Sequence, residues 1–252
     1  MNPTYYRYEL LREFRDRIGL FFTVALPAFM YVVFGATQSY AEQDVGRGNI
    51  AAHIMISMAM YGAVTATSSV GAAAATEKML GWGRQLGLTP LTDRGFVMVK
   101  AASAITIAAL PVALIYTIGA ATGARAEASV WLLSALLALL GSVVFSLYGL
   151  CFGLGLRSRS AAGAASGSLV ILAFLGSLFM PLSGTMLTLA RLTPLYGVSQ
   201  LARRPLTDGM VLARDGSLQQ ESLWIPTANV AAWLLVFAGL AILLVRRSRH
   251  RQ

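Results

Sequence analysis

The chain has 252 residues, of which 56% belong to the apolar set and only 12% are Asp, Glu, Lys or Arg, about half the charged share of a soluble domain. Its formal charge of +9 does not make a nucleic-acid binder. No charged segment reaches the roughly 50 residues of an independent domain, which excludes both a folded basic surface and an aqueous catalytic domain.

Six runs contain no charged residue: 18–41, 48–76, 101–124, 128–156, 160–190 and 222–245, each 24 to 31 residues long. A helix needs about 20 apolar residues to cross a bilayer core of about 30 Å. The runs are uninterrupted rather than alternating, which argues against a barrel. The expected fold is therefore an all-α integral membrane protein with six transmembrane helices. One domain covers 1–252, with spans at about 18–38, 50–75, 97–121, 129–156, 160–180 and 225–245. The single cysteine, Cys151, lies in an apolar run and has no partner for an intrachain disulfide.

Residues 4–17 open the chain as an amphipathic interfacial helix. Tyr5, Tyr8, Leu11, Phe14 and Ile18 recur at helical spacing on one face. Arg12 with Asp16, and Glu13 with Arg17, can form i,i+4 pairs. Span 1 carries Pro27, which predicts a kink. Ser39-Tyr40-Ala41 resembles a signal-peptide cleavage site, but the preceding apolar stretch exceeds the 7–15 residues of a signal core, so the span is read as retained. Span 2 contains His53 near one end, read as a neutral interfacial residue, and the small-residue stretch Ala66 to Ala72, which favours close helix packing. The segment 77–94 is unusually apolar for a loop, with Met79, Leu80, Trp82, Leu86 and Leu88. Such a loop sinks into the interface or docks on a partner. Spans 4 and 5 are joined by Arg157-Ser158-Arg159 alone, a tight hairpin. Gly149-x-x-x-Gly153 and Gly163-x-x-x-Gly167 flank that turn and predict close contact within the hairpin. From Pro181 to Leu192 the chain is nearly uncharged yet too short to cross and return as two spans. A re-entrant outer segment over 181–204, a pair of short helices broken at Thr193-Pro194, fits between spans 5 and 6.

An even number of spans puts both termini on one side. That side holds 14 of the 20 basic residues against five acids, while the other side balances six against six. The positive-inside rule makes the basic side cytoplasmic, and the Arg246–Arg251 tail an anchor to lipid headgroups. Eighteen Arg to two Lys, with abundant Ala and Gly, points to a high-GC bacterial genome and hence a bacterial plasma membrane.

The chemistry a self-powered transporter needs is missing from the sequence. The only lysines, Lys78 and Lys100, precede Met79 and Ala101, so there is no phosphate-binding loop. No run contains the Asp or Glu that a proton-coupled carrier places in its bundle. Catalytic residues and metal ligands are therefore not expected.

Four features, taken in order, resemble the membrane (permease) subunits of type-2 ATP-binding-cassette exporters: the amphipathic entry into span 1 through Pro27 to Phe34-Gly35; Thr76-Glu77-Lys78-Met79-Leu80-Gly81 followed by Leu86-Gly87-Leu88-Thr89-Pro90-Leu91; the small residues opening span 5; and Met180-Pro181 through Thr193-Pro194-Leu195-Tyr196. Thr193 stands where that family commonly has Asn, and Trp82 follows the expected Gly. The resemblance implies a permease homodimer with two copies of a cytosolic ATPase, ATP and Mg being held by that partner. It implies a coupling loop at 77–94, with Glu77, Lys78, Arg84, Gln85 and Leu86 as ATPase contacts. It also implies a substrate path along Ser57, Tyr61, Thr65, Phe174 and Phe179, and an outer gate of Pro181, Thr193, Pro194 and Tyr196. Uncharged spans favour a hydrophobic or amphipathic cargo such as a drug, antibiotic or lipid-like molecule. Two other readings stay open: a non-transporting sensor or scaffold that recruits a cytosolic partner, and a channel or facilitative carrier independent of any ATPase.

Overall fold

A computed structural model describes residues 3–77, 93–156, 158, 160–213 and 217–249. Helix α1 (Pro3–Arg15) stops at Asp16, whose carboxylate accepts from Gly19 N at 2.9 Å and caps α2 (Arg17–Leu20). Span 1 then continues through a π-helical turn (Phe21–Ala25), α3 (Leu26–Tyr31) and a second π-turn (Val32–Ala36). The first π-turn directly precedes Leu26-Pro27. Proline has no N–H to return to the carbonyl four residues back, and widening the turn accommodates this without ending the helix. The freed Thr23 carbonyl faces Gly62, where a Cβ would lie 3.2 Å from it.

The order continues with β1 (Asp44–Val45), β2 (Gly48–Asn49), α4 (Ile50–Glu77), α5 (Asp93–Ala121), α6 (Ala128–Ser142), α7 (Val144–Leu156), α8 (Ala161–Leu175), α9 (Gly184–Ala190), α10 (Pro194–Thr207), β3 (Met210–Leu212), β4 (Leu218–Gln220) and α11 (Trp224–Arg249). The strands form two separate antiparallel hairpins. Among the described residues, five helical stretches are long and apolar enough to cross a membrane: Arg17–Ala36, α4, Gly95–Ala121, Ala128–Leu156 and Trp224–Arg247. Helix α8 is apolar but shorter, 15 residues or about 22 Å. It ends at Gly176, and Ser177 follows with φ 58°, so the turn begins before the expected end of span 5 at 180.

Helix α4 is the centre of the bundle. It packs on α5, α6, α7 and α8 and is buried around its whole circumference, as befits a helix that is apolar on every face. Lipid chains are as apolar as leucine, so close approach has to replace hydrophobic drive. A Cβ on Gly149 would sit 1.8 Å from Ser68 O, one on Gly71 2.0 Å from Ser146 O, and one on Gly153 2.6 Å from Ala72 O. These contacts join α7 to α4. Gly163 and Gly167 on α8 meet nothing within 4 Å, so the two Gly-x-x-x-Gly pairs do not face each other within the α7–α8 hairpin. The close surface lies on the central helix, whose run of small residues meets the glycines of α7.

The break between α6 and α7 has a local cause. Ser146 N bonds Val143 O at 3.0 Å instead of Ser142 O, and Ser142 O accepts the Thr67 hydroxyl at 2.6 Å. A polar residue of α4 has captured a backbone acceptor of span 4. Tyr116 with Ser134 (2.7 Å) and Tyr148 with Ser168 (2.6 Å) add cross-helix hydroxyl bonds, each contributing about 0.6 kcal/mol.

Candidate functional site

Two regions concentrate polar chemistry, one at each end of the bundle. The first lies at the end that carries α1, the last turn of α4 and the first turns of α5. Lys100 Nζ reaches Glu9 Oε1 and Glu77 Oε2, both at 2.6 Å. Arg12 pairs with Glu9 at 2.7 Å, with Glu13 at 3.0 Å and also with Glu77. Three acids and two bases thus knit three helices together, with Glu9 and Lys100 buried. Tyr5 stacks on Phe96 at 6.2 Å, and the Tyr6 hydroxyl bonds Thr106 at 2.7 Å. Burial pushes the Glu13 carboxyl upward against the pull of Arg12. Burial also lowers the Arg12 guanidinium, but the carboxylates of Glu77 and Glu9 outweigh it and hold the group above its ordinary value.

This arrangement departs from the sequence expectation in one respect. Arg12 does not pair with Asp16, which is spent as a helix cap, and α1 turns its charged face inward. Tyr8, Leu11, Phe14 and Ile18 are exposed while Glu9 is buried. The apolar face is therefore offered outward, as an interfacial helix requires. Of the expected ATPase contacts, Glu77 sits in this network. Lys78, Arg84, Gln85 and Leu86 lie outside the described residues, as does most of the loop over 77–94.

The second region is a cavity of about 440 Å³ at the opposite end. It lies between span 1, the 40–45 segment, the first turns of α4, the 177–181 turn and α10. Ser57, Phe179 and Pro181 line it, together with His53 and Arg203. Tyr61 lies one turn deeper, its ring 4.8 Å from Phe179, and Phe179 meets Phe174 edge-on at 5.0 Å. The structure thus brings Ser57, Tyr61, Phe174 and Phe179 together. Thr65 is buried below them and donates to Tyr61 O at 2.8 Å. Phe174 is half exposed on the outer side of α8.

The remaining gate candidates do not line the cavity. Thr193 begins α10 in extended conformation and Pro194 follows as its first residue, a place where the missing proline N–H costs nothing. The buried Tyr196 hydroxyl donates to Glu221 Oε1 at 2.7 Å, and Arg191 Nε donates to the same oxygen at 2.9 Å. Burial, reinforced by Glu221, raises the Tyr196 phenol above its usual range. Asn229 on α11 ties the segment down, donating to Arg191 O at 2.7 Å and Thr193 O at 3.0 Å and accepting from Gly197 N at 3.1 Å. At the other hairpin, buried Asn49 accepts from Ala52 N at 3.0 Å and Arg125 N at 2.9 Å, and donates to Gly123 O at 2.8 Å. Two places at this same end of the bundle are thus tied by single amides in reach of several backbone groups.

Sequence reasoning missed Arg203, Glu221, Glu9 and Lys100 as buried groups. Glu221 and Lys100 each adjoin an uncharged run, Glu9 falls on the amphipathic helix and Arg203 in the 181–204 segment, so the charge pattern read none of them as enclosed. Among the described residues, no three His, Cys, Asp or Glu side chains gather as metal ligands.

These features define a class first: a multi-pass helical membrane protein with a central buried helix, an ion-paired end and a small cavity at the other. Among proteins of known description, the chain is similar to the "Putative transport permease YvfS" of Bacillus subtilis (strain 168), with 25% identity over 175 residues, 69% of this chain and 71% of that protein. No protein-family model matches the chain.

Proposed function

We propose that this chain is the permease subunit of a type-2 ATP-binding-cassette exporter, moving a hydrophobic or amphipathic small molecule across a bacterial plasma membrane. In this reading six helices span the bilayer, the 181–204 segment enters it without crossing, and both termini are cytoplasmic. Two permease copies work with two cytosolic ATPase subunits, which hold ATP and Mg.

The observation that carries the reading is the ion network at the end of α4. Glu77 is the last residue of the central helix and the first of the 77–94 loop. It is locked to α1 through Arg12 and to α5 through Lys100. A force applied to that loop by a docked partner therefore reaches three helices together, as coupling to an external motor requires. The likeness to a transport permease supports the same reading, as does the absence of a phosphate-binding loop from the sequence.

The test is reconstitution. The chain, co-expressed with any ATPase subunit that an adjacent reading frame encodes, should co-purify with that subunit and drive ATP-dependent movement of a lipophilic dye in vesicles. A stable complex that hydrolyses ATP without moving cargo would favour the scaffold reading, and dye movement without any ATPase would favour a facilitative carrier.

A further inference from the structure

Arg203 is 4% exposed, and among the described residues no carboxylate lies within ion-pair distance of it. Its guanidinium donates only to neutral groups: Nη2 to Ser177 O at 2.8 Å, Nε to Ser199 O at 3.3 Å, and Nη1 to His53 Nε2 at 3.4 Å. Because a guanidinium can only donate, His53 accepts through Nε2 and carries its proton on Nδ1. Arg191 and Arg47, both more exposed, have carboxylate partners in Glu221, Asp208 and Glu127. Arg125 and Arg204 also lack a carboxylate partner, but Arg125 is exposed and Arg204 half-buried, so among the described arginines at this end Arg203 is the buried one without a counter-charge. An uncompensated buried cation costs several kcal/mol.

Arg203 and His53 both line the cavity of about 440 Å³, a size within the range of small-molecule sites. The lining also includes apolar side chains, among them Phe34, Ile54, Met58 and Phe179. Asp44 lines the cavity too, but it is exposed and forms no ion pair with Arg203. The cavity therefore combines a buried cation with hydrocarbon surface.

We infer that this cavity binds an amphipathic anion, with a phosphate or carboxylate head against Arg203 and the first carbons of its tail on the Phe34–Ile54–Met58 wall. A charge-assisted bond to a guanidinium is about twice as strong as a neutral one, and the head supplies the counter-charge that the described residues do not. The inference goes beyond the export reading and is tested on the full chain without any ATPase, so its failure leaves that reading standing.

The experiment measures binding of hexyl phosphate by calorimetry to the chain in phosphatidylcholine nanodiscs, with 1-hexanol and inorganic phosphate as controls. Hexyl phosphate should bind at least ten-fold more tightly than either control. Ser57→Asp places a carboxylate one turn from His53 on the cavity wall, supplying an internal counter-ion while leaving the Arg203 carbonyl contacts in place. This variant should elute as a folded monodisperse species and lose at least ten-fold in affinity. Arg203→Lys, which keeps the charge, should bind within about five-fold of the parent. Equal binding by the Ser57→Asp variant, or by hexanol, would overturn the site. Inorganic phosphate binding as tightly as hexyl phosphate would overturn the role of the apolar wall. Nanodiscs containing phosphatidylglycerol separate the sources of the head. Weakened hexyl phosphate binding there identifies a lipid headgroup as the occupant, and unchanged binding identifies a non-lipid amphipath; both outcomes support the anion site.

Discussion

At the scale of single residues, the energetics are dominated by charges held out of water. Removing one member of a buried ion pair costs about 3–5 kcal/mol because the partner is left unpaired. Lys100→Met leaves Glu9 and Glu77 to Arg12 alone, so it should lower thermal stability by up to that amount, read as a fall in melting temperature in detergent. It should also reduce co-purification of an ATPase. Tyr196→Phe is milder. It removes one bond to a carboxylate that Arg191 still holds, and should cost about 1.5–3 kcal/mol, measured by the same melt. Sequence reasoning placed Ser57 and Phe179 beside one another on the basis of a family resemblance, and both line the cavity. It could not place Arg203 there, nor Glu221 against Tyr196 and Arg191. Burial of a charge depends on which helices close over it, and no local pattern in the 191–221 stretch signals that closure.

At the scale of elements, the helices of the apolar runs were largely legible, because the length of an uncharged run is itself the physical requirement for crossing a bilayer. Their partners were less so. The glycines at 149 and 163 have the same spacing pattern in sequence, yet only one pair is used in a close crossing. Gly149→Ala would drive a Cβ into Ser68 O and should destabilise the α4–α7 contact by about 1–3 kcal/mol, whereas Gly163→Ala should leave the monomer's melt unchanged within about 0.5 kcal/mol. Equal effects in a melting experiment would mean that α4 does not pack on α7 as described. The inward charges of α1 were also hidden. Its helical periodicity marked two faces correctly, but a lipid surface and a protein surface exchange which face is turned toward the bundle. Pro27 predicted a kink and is met instead by a π-turn, a subtler adjustment that keeps span 1 continuous.

At the scale of the whole molecule, orientation follows from where the arginines fall. Single-cysteine variants Gln43→Cys and Gln219→Cys, both at exposed positions of the far end, should label with a membrane-impermeant maleimide applied to intact cells. Gln85→Cys should label only after lysis. The reverse pattern would invert the topology and move the ion network away from any cytosolic partner. The confinement of α4 bears on how such a protein could move. Enclosed on all sides and pinned by backbone-to-glycine contacts, this helix has little freedom to bend or slide past its neighbours. A displacement imposed at Glu77 must arrive at His53, about 36 Å away at 1.5 Å per residue, almost undiminished, as the tilt of a stiff axle rather than the ripple of a flexible cord.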